Sequence, residues 1–280
     1  MAIATRLTNT GTLLVNGSFD ENTSIAPAEF STTVNTVYAG TLDEVTMASG
    51  AAVFNGTSQS LSVASNAAFA VGAGDFTIEC WLYPRASTAQ AIFDLRNPNT
   101  VAGFDMYVSP SGPSFRVGTS GTNYLTSAFT TLNIWYHLAL IRSGTTFSLY
   151  MNGTLAQTVS NSSNWTNNTP TVGGGVNGFF NGYISNFRFV KGTAMYTANF
   201  TPSQSVLPAV PGTSLLLNTL TSTNFTTDTS PNAFTVTNNG ATTYTTVNPF
   251  LQGSTTIKQR QFIDGTLQVY TEFDENTGAV

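Results

Sequence analysis

Few side chains in this 280-residue protein could do acid–base, nucleophilic or metal chemistry: one histidine, His137, one cysteine, Cys80, and a charged fraction of only 8%. Between residues 51 and 250 the carboxylates are Asp75, Glu79, Asp94, Asp105 and Asp228. A retaining glycosidase needs two carboxyl groups about 5–5.5 Å apart. Asp75 and Glu79 share a strand face but stand roughly 13 Å apart at about 3.3 Å per residue, and Glu79 is expected at the edge of a sheet. A Ser-His-Asp triad needs its imidazole at an accessible rim. His137 instead lies mid-strand between Tyr136 and Leu138 and reads as a packed, hydrogen-bonded histidine. Zinc takes several His or Cys ligands, which one of each cannot supply, and Cys80 reads as a small buried residue. Gly173-Gly174-Gly175 has no following helix and no lysine, so a phosphate loop is excluded and a close-packed strand or bend is expected. Sugar binding needs an exposed aromatic platform with amides or hydroxyls beside it. The run Asn161–Asn168 has that chemistry, which makes Trp165, Asn164, Tyr124 and Asn177 the candidate carbohydrate-binding residues. The competing reading is that Trp165 anchors a long loop against the fold.

The composition narrows the classes further. Net charge is −5, with 9 Lys+Arg, too few for the basic face that phosphate contacts demand, so nucleic acid is not an expected partner. With 47 Thr, 26 Ser, 26 Asn and 24 Gly the polar surface is mostly uncharged, while 20 Phe and 10 Tyr supply ample core. A single cysteine allows no internal disulfide, so stability must come from packing. No run approaches 18 apolar residues, and Met1–Arg6 opens into polar sequence without the apolar stretch of a secretion signal. The expectation is a protein made in the cytosol with neither membrane span nor leader.

Charge also divides the chain. Residues 1–50 and 251–280 hold nine of the 14 acids and three of the nine bases, whereas 51–250 holds five acids and six bases. The two ends are related. Gly11–Thr23 aligns with Gly265–Thr277, sharing the element Phe-Asp-Glu-Asn-Thr, and Arg6 and Arg260 fall at the same offset. This reads as an internal repeat, giving an acidic N-terminal β arm over 1–50, a body over 51–250 and a C-terminal β arm over 251–280 that repeats 6–23. Leu13/Val15 and Leu267/Val269 alternate as short strands do. Phe19, Asp20, Glu21, Phe273, Asp274 and Glu275 are the candidate assembly interface, through strand addition to an exposed edge.

The body reads as β throughout. Phe76, Ile78, Cys80 and Leu82 alternate with Thr77, Glu79, Trp81 and Tyr83. The stretch from Trp135 to Arg142 alternates likewise, Ser143-Gly144 turns, and Asn152-Gly153 is a strong hairpin signal. Further strands are expected near 52–63, 90–95, 103–108, 114–117, 123–129, 179–191, 213–218 and 233–238. No helix is expected beyond a short turn at Ala194-Met195-Tyr196. Apolar residues on both faces of several strands point to two sheets packed face to face.

Several of these segments carry a family resemblance. Phe54–Val63, Gly74–Trp81, Trp135–Gly144, Leu149–Gly153, Phe180–Arg188 and Tyr196–Pro202, in that order, resemble a laminin-G-like, concanavalin-A-like lectin domain. The resemblance implies an all-β, two-sheet antiparallel jelly-roll sandwich flanked by terminal β-strand arms. Glycanases of that fold place their carboxylates as Glu-x-Asp-x-x-Glu on one strand, a motif missing here, so no catalytic residue and no enzyme activity are expected. Domains of this kind often bind calcium at a sheet rim through Asp side chains. Asp94, Asp105 and Asp228 are the acids near loops, but no three acids cluster, so no ligand and no cofactor are assigned. Ser214–Leu217 followed by Asp228–Val236 is similar to segments of laminin-G-like virion proteins of marine bacteriophages. In many relatives that segment precedes the domain; here it follows, and either closes the sandwich or begins an unfinished repeat. The resemblance implies a non-enzymatic virion surface protein, either capsid decoration or tail-associated. Its expected partners are capsid or tail proteins and further copies of itself (a trimer is the guess), with host cell-surface polysaccharide as a further ligand. The alternatives are a receptor-binding lectin of the tail and, less favoured, a glycan-degrading enzyme.

Overall fold

A computed structural model describes residues 50–96, 102–109, 114–119 and 122–250, together with strands at 2–7, 12–19, 38–39, 261–263 and 266–268. Residues 1–46 form one compact unit and residues 47–280 another. In the first, β1 (Ala2–Leu7), β2 (Thr12–Phe19) and β3 (Tyr38–Ala39) make an antiparallel sheet in the order β1-β2-β3.

The second unit begins with β4 (Ala51–Asn55), β5 (Ser60–Val63), β6 (Phe76–Pro84), β7 (Gln90–Asp94) and β8 (Asp105–Val108). It continues through β9 (Ser114–Thr119), β10 (Thr122–Ala128), β11 (Tyr136–Ser143), β12 (Thr146–Met151) and β13 (Thr154–Ser160). The short β14 (Thr171–Val172), β15 (Gly174–Gly175) and β16 (Gly178–Phe179) precede the long β17 (Asn181–Lys191). Then come β18 (Thr213–Leu217), β19 (Val236–Asn239) and β20 (Thr243–Thr245), and finally the hairpin of β21 (Gln261–Ile263) with β22 (Thr266–Gln268). Thr12 and Thr266, equivalent in the two copies of the terminal repeat, each open a strand.

These strands build a two-sheet jelly roll. One sheet runs β13-β12-β11-β6-β17-β4-β20, with β18 also paired to β17; the other runs β10-β9-β8-β7-β14-β5-β19, with the β15-β16 hairpin against β7. Residues 212–250 therefore contribute to both layers, through β18 on β17, β20 on β4 and β19 on β5. The expected strands are present, and the Asn152-Gly153 hairpin has φ of 51° and 76° at its two central residues, the left-handed pair of a type I′ turn. The triglycine is a tight approach, since a Cβ on Gly173 would stand 2.1 Å from the Phe54 ring. The turn expected at Ala194-Met195-Tyr196 is not there. That segment is irregular because Tyr196 is drawn down onto the sheet, where it stacks on Phe200. The helical element that does occur is a single 3-10 turn at Ala67–Phe69, N-capped by Asn66. Among the described residues no helix is long and apolar enough to cross a membrane.

Period-two alternation explains the core. Phe76, Ile78, Cys80 and Leu82 of β6 are completely buried between the sheets, facing Phe93, Phe104, Met106 and Val108 of the other layer. Trp165 sits at the centre of an aromatic knot, with ring centroids 4.8 Å from Phe104, 5.1 Å from Phe147 and 6.1 Å from Phe76. Above it lies the Arg142 guanidinium, 4.9 Å from the indole. That guanidinium donates to the carbonyls of Gly144, Gly72, Ser163 and Asn161. A mutual backbone pair between Gly72 and Trp165 ties the loop down. Trp165→Ala is expected to cost about 3–5 kcal/mol, read as a lowered midpoint in chemical denaturation, because it empties this knot and removes the ring beneath Arg142.

Candidate functional site

The outer face of the β6 sheet carries apolar Ala139, Ile141 and Tyr150 beside polar side chains, so it also needs a cover. Residues 192–211, a strap without regular secondary structure, supply it. Thr77 accepts from Met195 N–H and donates to Thr193 O, the Trp81 indole donates to Ser203 O, and Tyr196 and Phe200 pack on Ala139, Ile141 and Tyr150. A bulge in β17 between Ser185 and Arg188 sets Asn186 against the strap, donating to Ser205 O and accepting from Leu207 N–H.

Beneath the strap lies a buried ionic cluster. Glu79 accepts from Arg188 Nε at 2.9 Å and also from Nη2, from the Tyr196 hydroxyl at 3.0 Å, and from His137 Nε2 at 3.3 Å. The expected edge position of Glu79 is thus corrected. Strand β6 is flanked by β11 and β17, and the side chain is fully buried. Burial opposes its ionisation, but the His137 hydrogen bond and the Arg188 charge outweigh that and hold the carboxyl below its ordinary pKa of 4.5. His137 is 1% exposed, with its ring edge-on to Trp81 and Phe200. No substrate reaches it, and it serves packing as the sequence reading expects.

A second polar cluster lies on the outer face of the other sheet. Asp94 of β7 and Asp105 of β8 are register partners, so the ladder sets two carboxylates side by side. Arg96 Nη2 bridges them, 3.2 Å from Asp94 and 2.7 Å from Asp105. The β15-β16 hairpin closes over the group, with Val176 N–H donating to Asp94 at 2.8 Å and Asn177 Nδ2 to Asp105 at 2.6 Å. Gly175 permits this, since a Cβ there would lie 2.3 Å from an Asp94 oxygen. With a guanidinium between them and both side chains buried, these carboxylates can neither protonate a glycosidic oxygen nor activate water in a cleft.

The same engagement argues against calcium. Asp228 is spent on backbone N–H groups of Leu216, Ser230 and Phe234. Among the described residues no group of three or more His, Cys, Asp or Glu could hold a metal ion. The described carboxylates therefore do not by themselves supply the six to eight oxygen ligands of a usual calcium shell.

The third feature is an aromatic row where the strap's contacts with β6 end. Tyr83, the next outward residue after Trp81, is register partner of Tyr183 on β17. Their rings stack 5.0 Å apart. Trp135, just before β11 and buried, backs the pair edge-on, 5.4 Å from Tyr83. The Arg85 guanidinium lies 5.8 Å from the Tyr183 ring centre. Tyr83 and Tyr183 are half-buried and Arg85 is exposed. Neither phenol hydroxyl and no guanidinium nitrogen of Arg85 has a hydrogen-bond partner among the described residues. Stacked aromatics with unused hydroxyls and a cation at the margin are the ingredients of a saccharide ledge.

The residues singled out from sequence do not assemble into such a ledge. Trp165, 0% exposed, is a core residue and offers no platform. Tyr124 leans on the same core, 6.4 Å from Trp165, and Asn164 is exposed beside it. Asn177 lies on the outer face of the second sheet, holding Asp105. Phe19 closes strand β2; its side chain, together with Asp20, Glu21, Phe273, Asp274 and Glu275, lies outside the described residues. Sequence reasoning missed Tyr83, Tyr183, Trp135 and Arg85. The available signal was two aromatics, Trp81 and Tyr83, on the side of β6 opposite its apolar stripe.

Comparison with known proteins agrees with this architecture. The model of the concanavalin A-like lectin/glucanases superfamily matches residues 55–195. No curated protein matches the sequence. Among solved structures, a protein from Bacteroides ovatus described as a candidate carbohydrate-binding protein is 18% identical, with a TM-score of 0.57 over 72% of this chain and 61% of that one. The chain thus spans less than two thirds of that protein's length. A heptameric pentraxin from Limulus polyphemus is 18% identical with a TM-score of 0.43, over 53% of this chain and 78% of its own. Mouse laminin α1 domains LG4-5 are 14% identical with a TM-score of 0.40, over 55% and 47%.

The Asp94–Arg96–Asp105 cluster generates a pH prediction. Burial pushes the Asp105 carboxyl up from 3.8 to about 7, opposed by Arg96 and aided by the Asp94 charge. Between those two values the native state keeps a proton that the unfolded chain has lost, so this group makes stability fall as pH rises through that window and then level off. Asp105→Asn should flatten the decline, seen as a smaller drop in melting temperature from pH 5 to pH 8 than in the wild type. An unchanged drop would show that Asp105 is ionised throughout.

Proposed function

The chain belongs to the concanavalin A-like lectin/glucanases superfamily, and from that premise we propose that its jelly roll is a non-catalytic saccharide-binding module whose ligand lies along Tyr83 and Tyr183, with the buried Trp135 behind them. The observation that carries this reading is the stacked, half-buried Tyr83–Tyr183 pair, whose phenol hydroxyls have no hydrogen-bond partner among the described residues. A pyranose ring offers one face of polarised C–H bonds and a rim of hydroxyls. The first suits the electron-rich surface and edges of aromatic rings, and the second suits the phenols. The fold of the Bacteroides protein, which is itself described as a candidate carbohydrate-binding protein, is in keeping with this use. The carboxylates are engaged in buried ion pairs and backbone caps, which supports binding without turnover.

The wider setting we propose is the surface of a bacteriophage particle, as capsid decoration or a tail-associated component, with receptor-binding lectin of the tail as the variant most dependent on the saccharide site. The resemblance of Ser214–Leu217 and Asp228–Val236 to virion proteins supports it, as does a body surface rich in Thr and Asn and poor in charge. The related terminal segments, each carrying a β-hairpin, are the proposed means of attachment to other virion proteins.

Two experiments test these readings. In a glycan-binding screen, Tyr183→Ala and Tyr83→Ala should each weaken binding by at least about tenfold, or ~1.4 kcal/mol, with unchanged far-UV circular dichroism; wild-type protein that binds no glycan would sink the reading. For the setting, a protein lacking residues 1–50 should fail to join particles in an assembly assay, and normal incorporation would count against attachment through that segment.

A further inference from the structure

Eleven charged side chains lie between residues 51 and 250. Ten are buried or half-buried, and Arg85 alone is exposed. Most of the others are spoken for. Glu79 pairs with Arg188, and Arg96 with Asp94 and Asp105. Asp228 and Asp75 accept backbone N–H groups, while Arg142 and Lys191 donate to carbonyls. Arg85 has no carboxylate partner, and its guanidinium lies over the rim of the aromatic row, against Tyr183. Arg116, half-buried on β9, likewise lacks an ion-pair partner, which leaves Arg85 as the exposed charge among the described residues of the body. A cation–π contact at an exposed site is worth only about 0.5–1 kcal/mol, too little to account for an exposed charge on so charge-poor a body. It does hold the planar fork in place, and a pre-placed guanidinium takes a carboxylate or sulfate in a bidentate grip.

We propose that the saccharide accepted by this ledge is anionic, with its acidic group paired to Arg85 while its ring rests on Tyr83 and Tyr183. The proposal rests on the saccharide-binding reading above and adds the ligand's charge. It makes Arg85 the specificity-determining residue. The aromatic row supplies contact that any pyranose can make, and Arg85 supplies the preference.

The test uses the full chain and three probes: a uronate oligosaccharide, the same oligosaccharide after carboxyl reduction, and a sulfated oligosaccharide of similar length. Dissociation constants are measured by calorimetry at low and high salt for wild type, Arg85→Gln, Arg85→Lys and Tyr183→Ala. At least one anionic probe should bind wild type at least tenfold more tightly than the reduced probe, and salt should narrow the gap. Which of the two binds tighter identifies carboxylate or sulfate as the source. Arg85→Gln should erase the preference while leaving weak binding of the neutral chain, Arg85→Lys should restore part of it, and Tyr183→Ala should weaken all three. Equal binding of reduced and anionic probes, or an Arg85→Gln variant that keeps the preference, overturns the proposal and leaves the saccharide site standing. Binding by wild type that Tyr183→Ala does not alter, or no binding of any probe, overturns both. Arg85 is exposed, so a matching melting curve for Arg85→Gln separates lost recognition from lost fold.

Discussion

A sheet that buries side chains on both faces must be covered twice, and the layer built on β6, β11 and β17 is such a sheet. Its inner face buries Ile78, Leu138, Leu140 and Phe189 against the opposite layer. Its outer face carries Ala139, Ile141 and Tyr150, which no second sheet covers. The strap of residues 192–211 meets that demand, and its route decides what else is visible. Where it crosses, aromatic and ionic side chains are locked away; where its contacts with β6 end, at Trp81, the same alternation delivers Tyr83 and Tyr183 to a surface left partly open. The candidate site is in this sense a remainder, the portion of the outer face that the strap leaves half-buried.

The strap brings a cost that its ionic cluster offsets. An irregular segment over a sheet has backbone groups without ladder partners, and those groups need partners when buried. Asn186, Thr77, Trp81 and Arg188 supply them, with Arg188 reaching Pro208 O through Nη1 as well as gripping Glu79. Glu79 then fixes the orientation of three donors on three different elements. A buried ion pair of this kind is weak evidence for net stability, yet removing one partner strands the other in a medium of low polarity. The cluster is better understood as a positional device that tells the strap where to lie.

The sequence was most informative where periodicity has one physical cause. Alternation in β6 and β11, the Asn152-Gly153 turn and the aromatic content lead to a two-layer sandwich because each reports directly on which side of a strand meets water. The sites were less legible because they depend on pairings that no local pattern encodes. Asp94 and Asp105 are eleven residues apart in sequence, and only the β7–β8 register makes them neighbours. Trp165, set in a run of Asn, Ser and Thr, has the composition of a binding loop. The aromatic knot that swallows it comes from β6, β12 and the approach to β8, so its burial is a tertiary fact. Glu79 looked peripheral because an isolated acid in a strand usually seeks water; Arg188, 109 residues away, removes that need. Tyr83 and Tyr183 are likewise joined by register alone.

Charge economy links these observations. A body with five acids and six bases could satisfy nearly all of them internally, and it does so in compact groups centred on Glu79, Arg96 and Arg142. The paired charges around Glu79 and Arg96 contribute little field outside, because each is compensated within a few ångströms. At physiological ionic strength a charge is felt over only about 8 Å. The surface potential near the aromatic row is therefore set by what stands within that distance, and among the described side chains the exposed charge there is Arg85. Neutral, hydroxyl-rich surroundings sharpen its effect: with little competition from neighbouring lysines or carboxylates, one guanidinium can separate ligands by sign while the Thr- and Asn-rich remainder stays indifferent to both.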